Sequence, residues 1–205
     1  MTFCRYSFCI PLVAKSALMS ENGPQRKRPN ILITGTPGTG KTSTATTLAE
    51  RIEFLTHVNV GEMIRENRCY EGRDEELDTN ILDEDQLLDL LEGLLDNAAE
   101  EGQGVVMDFH MPTIFPERWF DLVIVLRTKT ELLFDRLAAR GYNDKKRDEN
   151  MEAEIMQIIL EEARESYAEE IVHEVESNSV EDMDQNIQRV EAWCKKWIED
   201  NTSDL

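Results

Sequence analysis

With 205 residues, 40% hydrophobic and 31% charged, the chain can pack one α/β domain but is too short for two ordinary domains with separate large cores. Its 42 Asp+Glu against 22 Lys+Arg leave a formal charge of −20, a field that repels phosphate backbones and argues against nonspecific nucleic-acid binding by counterion release. No apolar run approaches the ~18 residues that a membrane-spanning helix needs.

The charge is unevenly placed. Residues 1–30 hold five basic residues (Arg5, Lys15, Arg26, Lys27, Arg28) and one acid (Glu21), a net +4, so the remainder carries −24. Asp148 to Glu176 alone holds eleven acids and one Arg, either a solvated helix face or a docking surface for a basic protein. Cys4, Cys9, Cys69 and Cys194 form no CxxC pair and no zinc-like grouping with the three His residues, which fits free thiols in a reducing compartment.

Residues 1–29 read as a disordered or alternative N-terminal extension. Its first 18 residues are free of acids, so a targeting peptide is the competing reading, and Met19 begins a polar stretch typical of a flexible start. Arg26-Lys27-Arg28 is a short basic run of the kind found in nuclear import signals.

Folded sequence is expected over residues 30–200. Asn30–Thr34 is a short apolar strand, followed at once by a glycine-rich stretch and then by a helix over Thr42–Ile52 with Ala45, Leu48, Ala49 and Ile52 on one face. Val58–Val60 reads as a second strand and Glu62–Asn67 as a short helix. Cys69–Thr79 is polar and acidic, a loop or mobile arm. Asp83–Ala99 is an amphipathic helix whose leading acids suit the positive end of the helix dipole, and Gly102 and Gly104 end it. Val105–Met107 is a buried-type strand ending in Asp108, and Leu122–Leu126 is another. Thr130–Arg140 returns to helical spacing. A long helix is expected from about Asp148, aligning Met151, Ile155, Ile159, Ala163 and Tyr167, and a last one over Val180–Ile198. Alternating strands and helices imply an α/β fold with a mostly parallel sheet flanked by helices on both faces.

Gly35-Thr36-Pro37-Gly38-Thr39-Gly40-Lys41-Thr42 matches G-x-x-x-x-G-K-[ST] in the strand-to-helix setting the motif requires. Such a loop turns successive backbone N–H groups inward, where they and the helix N-terminus cradle phosphate. Lys41 would reach the β- and γ-phosphates, and the Thr42 hydroxyl would ligate Mg²⁺. The motif also needs a metal-holding carboxylate; Asp108, at the end of an apolar strand, is placed either for that or as a turn residue. His110 lies on the same side as Asp108 if the strand continues, and there it would orient water or relay a proton; the alternative is a structural His.

The phosphate acceptor is read from Asn59-Val60-Gly61-Glu62-Met63-Ile64-Arg65, which resembles the G-[DE]-[ML]-[IL]-R segment of adenylate kinases whose Arg clamps the acceptor monophosphate. Arg65 takes that role in the resemblance, against the alternative of a surface helix Arg; a kinase for a sugar or other small alcohol is correspondingly disfavoured. Asp135-Arg136-Leu137-Ala138-Ala139-Arg140 resembles the helix leading into the lid of these kinases, where a guanidinium stacks on adenine or neutralises the transferring phosphoryl. Asp108-Phe109-His110-Met111-Pro112 stands where those kinases carry D-G-F-P-R. Together with Phe115–Phe120, Val125–Thr128 and Arg140–Asn143 it resembles the adenylate kinase isoenzyme 6 family, also described as coilin-interacting nuclear ATPases.

That resemblance, over about Pro29 to Ile198, implies a P-loop NTPase core, a monophosphate-binding arm at 59–82 and a short lid at 139–149. It implies ATP-phosphate contacts from Gly35, Gly38, Thr39, Gly40, Lys41, Thr42 and Ser43, an ATP contact and catalytic role for Arg140, catalytic roles for Lys41, Asp108 and His110, and Mg²⁺ on Thr42 and Asp108. The implied activities are ATP + AMP = 2 ADP and ATP hydrolysis, by a monomer in nucleus and cytoplasm that binds a basic small-subunit ribosomal protein. The implied process is maturation of the small ribosomal subunit and its 18S rRNA, with indirect RNA contact. The alternative is an assembly factor whose hydrolysis gates release of the ribosomal protein, with kinase activity incidental. Ser177-Asn178-Ser179-Val180 departs from the family at a Lys-Pro pair near the adenine pocket.

Overall fold

The structure is a computed structural model that describes residues 26–74 and 79–202. The first 25 residues, with Cys4, Cys9 and the proposed targeting segment, lie outside it, as does the middle of the expected Cys69–Thr79 loop.

The described residues include seven strands and seven α-helices. Strand β1 (Ile31–Thr34) leads into α1 (Lys41–Arg51), β2 (Leu55–Asn59) and α2 (Val60–Asn67). A hairpin follows, β3 (Tyr70–Asp74) and β4 (Thr79–Leu82), then α3 (Glu84–Glu100), β5 (Gly104–Asp108) and β6 (Leu122–Arg127). Helices α4 (Thr130–Ala139), α5 (Asp144–Ile155) and α6 (Ile158–Ser166) precede β7 (Val172–Glu176) and the last helix, α7 (Val180–Thr202).

Five strands form one parallel sheet in the order β2-β5-β1-β6-β7. Because all run the same way, the carboxyl ends of β1, β2, β5 and β6 share one edge, and β1 lies between strands that come later in the chain. That is the place where parallel α/β sheets open a ligand crevice.

Side-chain alternation along each strand divides the core in two. Ile31, Ile33, Val106, Leu122, Ile124 and Leu126 face Ala45 and Leu48 of α1 and Ile187 and Val190 of α7. Leu32, Val105, Met107, Val123 and Val125 face Leu87, Leu91 and Leu95 of α3 and Leu160 and Ala163 of α6. Strands covered on both faces have no polar side to show, hence the unbroken apolar runs. At the opposite edge, buried Asn30 locks three segments: its Nδ2 donates to the Trp119 carbonyl, its Oδ1 accepts from Val105 N–H, and its own N–H donates to Asp121.

Two expectations need correction, and one strand was not expected at all. Where a loop or mobile arm was read over Cys69–Thr79, the described residues pair antiparallel, Gly72 opposite Ile81 and Tyr70 opposite Leu82, with a register shift between them. Strand β7 has no apolar run to announce it, since Val-His-Glu-Val-Glu is an edge strand whose charges face water. The single helix expected from Asp148 is two helices. The first begins at Asp144, where the Asn143 side chain accepts from Lys146 N–H, and the second follows a break at Met156–Gln157. Gln157 is left-handed there, with φ +57°.

The break has a packing cause. Residues of α5 that are buried, Met151 and Glu154, point toward α4 and the glycine-rich loop, whereas Leu160 and Ala163 of α6 join the sheet core. One straight helix cannot serve both directions, and Ile155 and Met156 at the joint are left 58% and 62% exposed.

The other two cysteines, Cys69 and Cys194, are free and buried. Burial, reinforced by Glu191, pushes the Cys194 thiol up to about 12, so it is a packing group rather than a nucleophile.

A non-glycine residue in the left-handed region costs about 1–2 kcal/mol. Net of the backbone entropy that glycine loses, about 0.5–1 kcal/mol, Gln157→Gly is expected to raise the unfolding midpoint by roughly 2–4 °C in a chain of this size, measured by thermal denaturation followed by circular dichroism.

Candidate active site

The loop Gly35–Lys41 leaves the end of β1 in a curl that only glycine permits at two points. Gly35 has φ +138°, and a Cβ on it would sit 2.5 Å from the Leu126 carbonyl oxygen. Gly38 has φ +99°, and a Cβ there would come within 2.9 Å of the Leu133 side chain. The loop is thus pressed between the end of β6 and helix α4. Gly40, also at positive φ, caps α1, whose first N–H groups open on the hollow.

Lys41 Nζ donates to the Gly35 carbonyl at 2.8 Å and to the Thr36 carbonyl at 3.0 Å. Its pKa is lowered to about 8, first by burial; the Asp108 charge opposes that shift and the nearby Arg140 charge adds to it. Gly38, Gly40, Lys41, Thr42, Ser43 and Arg140 line one small cavity at this edge. Arg140, just past α4, is the exposed cation of the set.

Asp108 is the hub on the other side. It is 4% exposed, at the end of β5. Thr42 Oγ1 donates to its Oδ1 at 2.9 Å, Asn59 Nδ2 lies 3.2 and 3.4 Å from its two oxygens, and His57 Nε2 lies 2.7 Å from Oδ2. His57 Nδ1 in turn meets Thr46 Oγ1 at 3.3 Å. A tautomer in which Nε2 donates to the carboxylate and Nδ1 accepts from Thr46 satisfies both contacts. Thr42 and Thr46 are four apart on α1 and so share its face.

The sequence does not single out His57, and it marks Asn59 only as the start of the acceptor segment, not as a partner of Asp108. The only signal was their spacing of two on a strand, and it was hidden because β2 starts at Leu55, three residues before the strand expected from Val58. Register completes the argument, since Asn59 pairs with Asp108 across β2 and β5.

His110 does not follow from strand alternation, because β5 ends at Asp108. The chain bends there, and the imidazole packs edge-on against Phe109, with ring centroids 4.7 Å apart. Burial lowers its pKa to about 4, and the Lys41 and Lys146 charges push the same way. At neutral pH it is a neutral imidazole, able to accept or donate a hydrogen bond but not to supply positive charge.

Two arginines differ in placement. The Arg136 guanidinium donates to the Ser177 carbonyl at 2.9 Å and the Asn178 carbonyl at 2.9 Å and reaches the Gly38 carbonyl at 3.4 Å. It brackets the loop to the end of β7, aided by Ser177 Oγ donating to the Thr39 carbonyl. Arg65, in the last turn of α2, is 66% exposed and lies 3.7 Å from Glu62; it is not brought against Lys41 or Asp108.

A model of an AAA domain family matches residues 31–157. A Caenorhabditis elegans protein named adenylate kinase isoenzyme 6 homolog is 49% identical over 80% of this chain and 88% of that one. Proteins of the same designation from Saccharomyces cerevisiae (45% identical, 85% of this chain and 86% of theirs) and Dictyostelium discoideum (46%, 86% and 98%) agree. The chain belongs to the adenylate kinase isoenzyme 6 family. Among solved structures, a shikimate kinase from Bacteroides thetaiotaomicron aligns with a TM-score of 0.47 at 18% identity, over 82% of this chain and 98% of that one.

Membership in the isoenzyme 6 family makes this a P-loop nucleotide kinase-like protein. No helix among the described residues is long and apolar enough to cross a membrane. No cluster of three or more His, Cys, Asp or Glu suited to a metal occurs among them either. A Thr42 hydroxyl 2.9 Å from an Asp108 carboxylate oxygen does fit Mg²⁺, a hard ion that takes one or two protein oxygens and completes its shell with water and substrate phosphates.

His110 gives a pH prediction for the metal-free protein. Its proton is bound at pH 6.5 in the unfolded chain but only near pH 4 in the folded one, so its contribution to stability is complete above pH 6.5 and falls as pH drops toward 4. The imidazole resonances of His110 should titrate near pH 4 by NMR. His110→Asn should flatten the decline of stability between pH 6.5 and 4 measured by denaturant unfolding.

Proposed function

We propose that the protein transfers the γ-phosphoryl of ATP to AMP, forming two ADP, and also hydrolyses ATP. The observation that carries this reading is the union, at one sheet edge, of a phosphate loop, a lysine beside it, a buried aspartate bonded to the loop threonine, and Arg140 facing them. Support comes from the designation adenylate kinase isoenzyme 6 homolog that its relatives carry.

In this mechanism Lys41 leaves the carbonyls of Gly35 and Thr36 for the β- and γ-phosphate oxygens. The loop N–H groups and Gly40–Ser43 hold the rest of the chain of phosphates. Thr42 and Asp108 would hold Mg²⁺, which neutralises charge on the transferring group. An AMP phosphate oxygen attacks the γ-phosphorus in line; that P–O bond forms as the bond to the β–γ bridging oxygen breaks, and ADP leaves. Arg65, on an arm proposed to span 59–82, clamps the AMP phosphate. Arg140, on a lid proposed to span 139–149, turns in over the γ-phosphoryl, and lid closure excludes water. Catalysis is positioning and electrostatics, without a covalent enzyme intermediate. With water as the nucleophile, neutral His110 orients the attack and the same site hydrolyses ATP.

We further propose a setting in maturation of the small ribosomal subunit and its 18S rRNA, in nucleus and cytoplasm, with a basic small-subunit ribosomal protein as partner and the enzyme a monomer. The acid concentration over Asp148–Glu176 favours such a partner and makes RNA contact indirect. The same observation supports the second reading, an assembly factor whose hydrolysis gates release of that protein.

Lys41→Ala is expected to lower both ADP formation from ATP plus AMP and phosphate release from ATP by about 100-fold or more. Retention of near-normal rates by a folded variant would sink the assignment. Adding the ribosomal protein separates the two readings: if it accelerates phosphate release while ADP formation from AMP stays negligible throughout, the kinase reading gives way to the gating one.

A further inference from the structure

A buried carboxylate outside the catalytic set holds the phosphate loop in shape. Glu154, near the end of α5, is 3% exposed. Its Oε1 accepts from Arg127 Nε at 2.7 Å and from Thr128 N–H at 3.0 Å, its backbone carbonyl accepts from Arg127 Nη2 at 2.9 Å, and its Oε2 accepts from Thr36 Oγ1 at 2.5 Å. Three donors converge on one carboxylate, and the acid is bound to the end of β6 on one side and to the phosphate loop on the other.

Thr36 is the loop residue on which the curl turns. It is 1% exposed, and its carbonyl accepts from Thr39 N–H at 3.2 Å, Thr39 Oγ1 at 2.9 Å and Lys41 Nζ at 3.0 Å. The side chain of Thr36 is tied outward to Glu154 while its carbonyl is tied inward to Thr39 and Lys41. Releasing the outward tie frees the peptide to rotate, and the nucleotide must then restore the shape it would otherwise find ready. That reorganisation appears as lost affinity.

We propose that Glu154 is a positioning residue for nucleotide binding, acting through Thr36 to preset the phosphate loop and linking that loop to the helix pair that carries Arg140. The second half of the link is physical continuity. Helix α5 runs from the α4–α5 turn directly to Glu154, and Met151, one turn before it, packs with Leu133 and Leu137, the side chains against which Gly38 rests. The break at Gln157 lets α5 end here, with Glu154 directed at the loop while α6 takes a different course. The inference rests on the nucleotide reading of the loop.

The test measures binding of ATP with Mg²⁺ by calorimetry for the full chain and for Thr36→Val, Thr36→Ser, Glu154→Gln and the double variant Thr36→Val/Glu154→Gln, each with its thermal unfolding curve. Thr36→Val should bind about tenfold more weakly, the scale of one charge-assisted hydrogen bond, and Thr36→Ser within about twofold of the unsubstituted chain. The double variant should lose about as much as Glu154→Gln alone, because the charge-assisted bond from Thr36 is already lost once Glu154 is neutral. Multiplying losses would overturn the proposal, as would unchanged affinity in Thr36→Val alongside a lowered unfolding temperature, which marks a merely structural contact. If Glu154→Gln does not fold, the Thr36→Val and Thr36→Ser pair decides alone. Failure of the unsubstituted chain to bind would instead overturn the nucleotide reading itself, and this one with it.

Discussion

The close approach of the glycine loop to the end of β6 and to α4 is the constraint from which the rest of the site follows. With no Cβ at Gly35 the loop can lie against the Leu126 carbonyl, and with none at Gly38 it can rest on Leu133. The peptide between them is then set by sterics, and the carbonyls of Gly35 and Thr36 face Lys41. Every charged group that matters is positioned relative to this curl. Asp108 is brought up by β5, which neighbours β1 on one side; Arg127 and Glu154 are brought up by β6 and α5 on the other.

Charge is distributed unevenly in this strongly acidic chain. A formal −20 is spread over the whole protein, while the small cavity at the glycine-rich loop gathers Lys41 and Arg140 beside the partial positive charge of the α1 N-terminus. Acids at this edge are not idle repulsion. Asp108 is engaged by Thr42, His57 and Asn59, and Glu154 by Arg127, Thr128 and Thr36. Their charges also oppose the burial that lowers the Lys41 pKa, keeping the ammonium form accessible.

Much of the fold was legible along the chain because buried parallel strands and amphipathic helices advertise themselves through side-chain period. β1, β5 and β6, α1, α3 and α7 fall close to their expected places. The misreadings share a cause. β7 and the β3–β4 hairpin are stabilised by pairing rather than by burial of both faces, so their charged sequences resemble loops. The α5–α6 break was invisible because Met151, Ile155, Ile159 and Ala163 keep helical spacing across it, while the decision to bend depends on what lies beneath each half. Within the site, the phosphate loop and Asp108 were readable from local motif and strand end. His57, Asn59 and Glu154 were not, since each acts on a partner at least 49 residues away in sequence.

By itself, then, the sequence determined an α/β chain with a glycine-rich strand-to-helix loop and a strand-terminal aspartate, because these depend on contiguous residues whose backbone conformations are locally dictated. Only the tertiary structure decided which carboxylates serve which groups. Strand register sets His57 and Asn59 on Asp108, and the turn at Gln157 delivers Glu154 to Thr36. Such pairings arise where separate elements pack together. A linear pattern cannot record them, because the distance between two buried side chains is fixed by the packing of the elements that carry them.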